Sequence, residues 1–94
     1  NQKLNIKFNH YVNNNALAML AFDENDIFYG VLTVNIDCDL TNEYCSFIDT
    51  NNYNDDLVVT LLENNMGKLT GKIGVSGYCF YPEFEFNKDV IEME

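Results

Sequence analysis

The residues of this chain that could do chemistry are few. His10 is the only histidine, and no serine or cysteine motif accompanies it, so a nucleophile with its general base is not indicated. Glu83 and Glu85 lie two residues apart and would share a strand face, as paired carboxylates could. On an edge strand, however, such a pair is more typical of a solvated face that discourages aggregation. The sequence therefore predicts no catalytic residue and no enzyme.

Three glycines, Gly71, Gly74 and Gly77, recur at three-residue intervals and could suggest a phosphate-binding loop. The pattern lacks G-x-x-x-x-G-K-[ST], and it precedes a predicted strand, so no helix N-terminus would face a phosphate. We interpret these glycines as turn residues and predict no cofactor.

The alternation of Asp37, Asp39, Thr41 and Glu43 is similar to the start of a calcium loop. The sixth position of such a loop must be glycine and is asparagine here, and the twelfth must be glutamate and is isoleucine. We therefore predict no metal site at these residues.

The cysteines Cys38, Cys45 and Cys79 are an odd number without C-x-x-C spacing, which does not indicate zinc. We expect three reduced thiols, some of them buried, in a reducing cytoplasm. A Cys38–Cys45 disulfide remains an alternative.

Charge is the most distinctive property of the sequence. Fifteen acidic residues stand against five lysines, which gives a net charge of −10. Between Lys7 and Lys68 there is no lysine or arginine, whereas that window holds ten acidic residues. A negative surface repels nucleic acid and anionic membranes and attracts basic protein surfaces. The alternative is that the charge only keeps a small protein soluble.

Four strands are predicted in the first half of the chain. Leu4, Ile6 and Phe8 alternate with polar residues, which predicts a half-buried strand over 3–9. Further strands are predicted over 16–22, where Ala, Met and Leu also favour helix, and over 27–36 and 44–48. Gly30 indicates a bulge or a close backbone approach.

One helix is predicted before the last strand. Asn52 or Asn54 would cap it, Asp55 and Asp56 suit the positive end of its dipole, and Gly67 would end it as a left-handed residue.

The last strand, 78–86, contains Pro82, which places it at a sheet edge or places the proline at a bulge.

These elements predict an α+β fold, in which an antiparallel four- to five-stranded meander in the order β-β-β-β-α-β carries one helix on one face. Residues 1–94 would form one domain, with a frayed acidic tail at 88–94. No apolar run could span a bilayer and no signal core is present, so we expect a location inside a cell.

Three motifs carry a resemblance to a known group of proteins: D-T-N-N at Asp49–Asn52, E-N-N-M-G at 63–67 and T-G-x-x-G-x-S-G-Y at Thr70–Tyr78. With VLTVNI at 31–36, they resemble a family of small uncharacterised bacterial proteins from phages, plasmids and integrative elements of Firmicutes and related bacteria. The resemblance covers Ala16 to Phe86. It implies a fold and a genetic setting in which small acidic proteins often act as anti-CRISPR or other counter-defence inhibitors.

We therefore expect a protein that binds and inhibits a host defence nuclease or CRISPR effector by occupying its basic nucleic-acid-binding surface. Carboxylates would take the place of phosphates, and exposed tyrosines would anchor the contact. The candidate partner-binding residues are Asp23, Glu24, Asp26, Asp37, Asp39, Glu43, Tyr53, Asp55, Asp56 and Tyr81.

The alternative is a non-enzymatic adaptor, or a homodimeric structural module that pairs through the edge of the last strand. Direct binding of nucleic acid is not expected, because five lysines cannot offset fifteen acids. A buried cluster of perturbed carboxylates would instead indicate an enzyme or a ligand sensor.

Overall fold

Two antiparallel sheets and a few short helices make up the described part of the chain. The computed structural model describes residues 4–12, 14 and 16–92. Its elements are β1 (Asn5–His10), β2 (Leu17–Phe22), β3 (Phe28–Val31), β4 (Thr33–Val34), β5 (Cys45–Ile48), α1 (Thr50–Tyr53), α2 (Asp56–Glu63), β6 (Gly67–Ser76), β7 (Cys79–Phe86) and α3 (Lys88–Glu92). The first sheet has the order β1-β2-β3 and the second the order β4-β5-β7-β6. The predicted α+β class is confirmed, whereas the single meander and the single helix are wrong.

The strand pattern at the N-terminus is confirmed. Leu4, Ile6 and Phe8 pack against the core on one face of β1, as their alternation indicates. The irregularity expected at Gly30 is also present, because Ala21 pairs with Gly30 while Phe22 pairs with Phe28, which leaves Tyr29 as an extra residue.

Leu32 is the corner at which the chain passes from one sheet to the other. Its backbone N–H donates to the carbonyl of Met19 in the first sheet, and its own carbonyl accepts from the N–H of Asp49. The predicted strand over 27–36 is therefore split into β3 and β4, because each half pairs with a different sheet.

The segment interpreted as a glycine-rich loop is the strand β6. Ile and Val between the glycines favour a strand, and only Gly77, with φ of 61°, occupies the turn to β7. Because β7 lies between β5 and β6, it is not an edge strand. Pro82 lies next to a bulge and not in it, since it pairs with Ile73 while the extra residues of β6 lie between Leu69 and Ile73.

The helices also depart from the prediction. Asp49 caps α1 by accepting from the N–H of Asn52, while the side chain of Asn54 accepts from the N–H of Asp56 at the start of α2. The left-handed residue after α2 is Asn65, with φ of 56°, and not Gly67, which begins β6.

Residues 88–92 of the predicted frayed tail form α3, and Ile91 packs on the core. Met93 and Glu94 lie outside the described residues.

The core lies between the two sheets and α2. It is formed by large apolar side chains from both sheets and the helix: Leu17, Met19, Ala21, Leu32, Ile48, Val58, Leu61, Phe84 and Phe86. Aromatic edge-to-face contacts connect its parts, with 5.1 Å between the ring centroids of Phe8 and Phe86. Packing in this core holds the strands in place, and the acidic turns lie at the ends of these strands.

Candidate functional site

Six of the eight candidate acidic residues fall into two groups at opposite ends of the first sheet. Asp23, Glu24 and Asp26 lie in the β2–β3 turn, residues 23–27, next to Asn5 at the start of β1. The segment that we call the acidic loop, residues 35–44, lies at the other end, where Asn14 of the β1–β2 turn donates to Asn35. The six residues of β2 separate the two ends, a distance of about 17 Å.

Local hydrogen bonds hold the β2–β3 turn in a fixed shape. The Asp23 carboxylate accepts from the N–H groups of Asn25 and Ile27, both at 2.9 Å, as Asx turns do. Asp26 has φ of 64° and lies 3.6 Å from the ammonium of Lys7. Both of these side chains are largely exposed, so the ion pair contributes little to stability. The Glu24 side chain and that of Asp26 remain accessible to a partner.

The acidic loop carries its three carboxylates on the surface. Asp37, Asp39 and Glu43 are all exposed, and the backbone carbonyl of Asp39 accepts from the ammonium of Lys72. A polar cleft of about 370 Å³ lies between this loop and the β1–β2 turn, and Asp39 and Glu43 contribute to its wall. The carboxylates of Asp39 and Glu43 give this cleft a negative charge, which attracts cations.

A buried glutamate anchors the acidic loop to the second sheet. Glu83 is 0% exposed. Its carboxylate accepts from the Thr41 N–H at 2.8 Å, from the Thr41 hydroxyl at 2.5 Å and from the Thr70 hydroxyl at 2.5 Å. Because Thr41 belongs to the loop and Glu83 to β7, these bonds fix the loop across the sheet.

The charge of Glu83 is maintained by its surroundings. Burial by itself raises the pKa of Glu83, but the hydrogen bonds from Thr41 and Thr70 and the nearby Lys72 outweigh it. The pKa of this carboxyl therefore lies below its ordinary value, and the group is a poor general acid at neutral pH. Its role in the structure is that of an anion that organises hydrogen-bond donors.

The irregular stretch of β6 supplies one of these donors. Leu69 pairs with Phe84 and Ile73 with Pro82, so Thr70, Gly71 and Lys72 together oppose Glu83. Gly71 has φ of +94°, a conformation that residues with a Cβ rarely adopt. The bulge turns Thr70 and Lys72 towards Glu83 and the acidic loop.

The sequence interpretation of Glu83 was wrong in this respect, since the residue does not belong to a solvated face. The sequence could have indicated this site only through the pairing of the strand residue Glu83 with two threonines. Thr41, however, lies 42 residues away from Glu83 in the sequence. Glu85, the other member of the pair, is only half-buried.

The remaining candidates are grouped around α1 and β7. Asp55 and Asp56 are exposed at the start of α2. Tyr53 is half-buried beneath β3, where a Cβ on Gly30 would lie 2.5 Å from its hydroxyl oxygen. Burial, and then the charges of Asp49 and Tyr29, raise the pKa of Tyr53. The Tyr53 side chain is therefore packed partly inside the fold and does not extend freely into solvent.

Tyr81 is buried, at 9% exposure, on the same face of β7 as Glu83, so its side chain offers little surface to a partner. Burial, together with its hydrogen bond to Cys79, raises its pKa. The tyrosine that is fully exposed in this region is Tyr78 in the β6–β7 turn, which was not among the candidates.

The structure contains three free thiols, Cys38, Cys45 and Cys79. Burial raises the pKa of the Cys45 thiol, which also donates to the side chain of Asn42. Within the described ranges, no three His, Cys, Asp or Glu side chains are grouped so that they could hold a metal ion. His10 is exposed on β1.

A second cavity, of about 430 Å³, lies between β1 and α2. Its wall is mostly apolar and includes Leu4, Ile6, Leu57 and Met66, with Thr60 and Asn64 at the helix. None of the acidic candidates borders it. In the part of the chain that the structure describes, no helix is long and apolar enough to cross a membrane.

Comparison with known proteins gives one match. A family model described as a domain of unknown function, DUF4313, matches residues 5–93. No curated protein and no solved structure matches the chain. Because the family model covers almost the whole sequence, including both sheets, the acidic loop and the Glu83 site, this chain belongs to the DUF4313 family.

Proposed function

We propose that this domain is a protein-binding inhibitor whose acidic surface docks on the basic nucleic-acid-binding surface of a host defence nuclease or CRISPR effector. The observation that carries the proposal is the exposure of the acidic window. Of its ten carboxylates eight are exposed, Asp23 is half-buried, and only Asp49 is buried. A surface with this much unneutralised charge favours a basic partner.

The acidic residues extend over the length of the first sheet. The β2–β3 turn and the acidic loop lie at opposite ends of β2, whose six residues span about 17 Å. Carboxylates at both ends of the first sheet could therefore contact basic residues along a channel at the same time. A single compact cluster would cover less of such a channel.

The backbone segments that carry these acidic residues are also held in place before binding. The Asp23 carboxylate holds the β2–β3 turn, and Glu83 holds the acidic loop through Thr41. A preorganised segment loses less conformational entropy when a partner binds. In this interpretation the buried glutamate supports binding without touching the partner.

Electrostatic docking has a measurable signature. Counterions weaken the attraction between exposed charges, and the Debye length falls from ~10 Å at 0.1 M to ~3 Å at 1 M salt. We expect a partner captured from a related bacterium at low salt to be depleted at about 0.5 M. We also expect the captured partner, once purified, to release labelled nucleic acid when this domain is added.

A pair of matched variants tests the surface. Asp37→Asn with Asp39→Asn removes two charges from the acidic loop, and Glu63→Gln with Asp89→Asn removes two exposed charges from α2 and α3, which lie outside both the β2–β3 turn and the acidic loop. The loop variant should weaken displacement of nucleic acid at least about tenfold, and the control variant should act like the original chain. Capture that resists high salt, or equal effects of the two variants, would contradict the proposal, and so would recovery of no partner.

A further inference from the structure

The two faces of the β6–β7 hairpin lie in different surroundings. Residues that pair across antiparallel strands point to the same side of a sheet, so the register assigns each side chain to one face. Gly74 pairs with Tyr81, and Glu83 lies on the same side of β7. The acidic loop covers this face. Its Thr41 donates to Glu83, and its Ile36 lies so close that a Cβ on Gly74 would be 2.6 Å from Cδ1.

The acidic loop also occupies the outer edge of β6. The Cys38 thiol donates to the carbonyl of Val75 at 3.7 Å, and the ammonium group of Lys72 donates to the carbonyl of Asp39. A strand of another chain would have to displace the loop in order to pair here. A contact through the hairpin therefore has to use its second face.

The second face of the hairpin is apolar and open to solvent near the turn. Phe80 and Phe84 lie on the same side of β7. Leu69 pairs with Phe84 and Val75 pairs with Phe80, and Ile73, two residues before Val75, points to the same side. Phe84 is buried, whereas Leu69 is 44% exposed, Ile73 52%, Val75 50% and Phe80 67%. We call these four exposed residues the hairpin face.

The hairpin face continues a row of side chains whose other end lies in the core. Phe84 and Phe86 belong to the core cluster together with Val58 of α2, whereas Phe80 in the same row is mostly exposed. Within the described ranges, the core elements thus cover this row only away from the turn. Tyr78 in the turn is 102% exposed and extends the apolar surface. An exposed apolar surface of this extent indicates a contact with another molecule.

The charge distribution favours a second copy of this chain as that molecule. From residue 64 to residue 82 the sequence contains no acidic residue and two lysines, in a chain of net charge −10. Two copies repel each other wherever their carboxylates face one another. Contact through the hairpin face joins segments without carboxylates and leaves the acidic loops on the far sides of the two sheets.

The apolar area matches a weak dimer. An exposed aromatic side chain presents roughly 150–250 Å², and an aliphatic one presents roughly half of that area. Scaled by the exposed fractions, the hairpin face and Tyr78 together present about 450 Å². Two copies would cover about 900 Å², just under the ~1,000 Å² at which specific interfaces begin.

We propose that two copies of this chain form a two-fold symmetric dimer by packing their hairpin faces against each other. The second sheets then stack face to face at about 10 Å, and Phe80 of each copy packs on Ile73 and Val75 of the other. A two-fold axis through this face makes the contact self-complementary. The acidic loops lie on the outer sides of the dimer, so the contact is separate from the proposed inhibitory surface.

Sedimentation equilibrium over about 10–1,000 μM tests the dimer, because an interface of this size is expected to dissociate in the high micromolar range. The mass should rise with concentration from 10.8 kDa towards twice that value. Raising the salt concentration should strengthen the dimer, because salt screens the repulsion between two acidic chains. Docking of the acidic surface on a basic partner has the opposite salt dependence, so the two proposals are tested separately.

The chain offers a matched control of the same residue type. Phe80 is 67% exposed on the hairpin face, and Phe28 is 55% exposed on β3 of the first sheet. Phe80→Glu places two carboxylates near each other at the two-fold axis and should weaken the dimer at least about tenfold. Phe28→Glu adds the same charge to the chain and should leave the dissociation constant nearly unchanged.

A measurement on the unmodified chain does not depend on how a variant folds. In a mixture of isotope-labelled and unlabelled chains, filtered NMR spectra should show contacts between copies. We expect them between the Phe80 ring of one copy and the methyl groups of Ile73 and Val75 of the other. The amide signals of residues 73–80 should also move most on dilution.

Several results would overturn the dimer. The mass of a single chain at every concentration would leave the hairpin face to a different molecule. Self-association that weakens with salt would indicate contact between carboxylates and lysines instead. Equal effects of Phe80→Glu and Phe28→Glu, or spectra without contacts between copies at Phe80, would place any interface on another surface.

Discussion

Glu83→Ala removes a buried carboxylate that three hydrogen bonds from Thr41 and Thr70 surround. The donors would lose their partner at a fully buried position, although Thr41 itself is exposed and Thr70 is half-buried. A hydrogen bond to a charged group contributes about 1.5–3 kcal/mol. The hydroxyl groups can turn to other acceptors, and the carboxylate itself was costly to bury, so the net loss is smaller than three such bonds.

We expect Glu83→Ala to lower the free energy of unfolding by about 2–4 kcal/mol, because a donor left without its partner costs about 1–3 kcal/mol where it stays buried, whereas Thr41 is exposed and can turn to water. The control is Glu85→Ala, which changes the half-buried carboxylate two residues along the same strand and should cost less than about 1 kcal/mol. Urea unfolding at pH 7 measures both. Circular dichroism can follow the unfolding, and so can tyrosine fluorescence, since the chain has six tyrosines and no tryptophan.

The pH dependence gives an independent reading of the same site. The folded pKa of Glu83 lies below its ordinary value of 4.5. Ionised Glu83 therefore adds stability above about pH 4.5, and this contribution is lost as the pH falls through the lower folded value. The difference in unfolding free energy between the original chain and Glu83→Gln should be large at pH 7 and shrink below pH 4.5.

Two outcomes would refute this reasoning about Glu83. One is an equal loss of stability for Glu83→Ala and Glu85→Ala. The other is a stability difference between the original chain and the Glu83→Gln variant that is the same at acid and neutral pH. In either case the hydrogen bonds to Thr41 would not be what holds the acidic loop.

Further predictions concern local features of the fold. Asp49→Ala removes the buried cap of α1 and should cost about 1–2 kcal/mol in urea unfolding; no loss would contradict the cap. Gly71→Ala meets no atoms within 4 Å but must adopt φ of +94°, so a loss of about 1–3 kcal/mol is expected by the same assay, and an unchanged value would argue against the bulge. Because burial raises the pKa of Cys45, this thiol should react with a disulfide reagent more slowly than Cys38 or Cys79; equal rates would show otherwise.

Local patterns in the sequence predict the elements that depend on local forces. The alternation of Leu4, Ile6 and Phe8 identifies β1 and its buried face, and the apolar spacing around Val58 and Leu61 identifies α2. Both elements bury one face against a single core, so the periodicity of the side chains is enough.

The glycine-rich segment shows why other elements could not be predicted. Its glycines indicate turns when only neighbouring residues are considered. In the structure Gly71 forms a bulge opposite Glu83, and a Cβ on Gly74 would approach Ile36 and Phe47 closely. These are contacts between distant parts of the chain, which local propensity does not contain.

The sequence predicts which types of residue form the candidate site, but it does not predict how the fold arranges them. The lysine-free window indicates an acidic surface, and the structure shows most of its carboxylates exposed. The pairing of β2 with β3 places the β2–β3 turn at one end of the first sheet, and the Asn14–Asn35 hydrogen bond places the acidic loop at the other end. The burial of Glu83 depends on Thr41 and Thr70, which only the folded chain brings together.

The most direct test of the proposed function is the affinity of the domain for its captured partner, measured by calorimetry with and without the partner's nucleic acid. If the acidic surface occupies the nucleic-acid-binding surface, nucleic acid should compete with the domain, and the affinity should fall steadily as salt is raised. Simultaneous binding of domain and nucleic acid, with an affinity that salt leaves unchanged, would contradict the proposal.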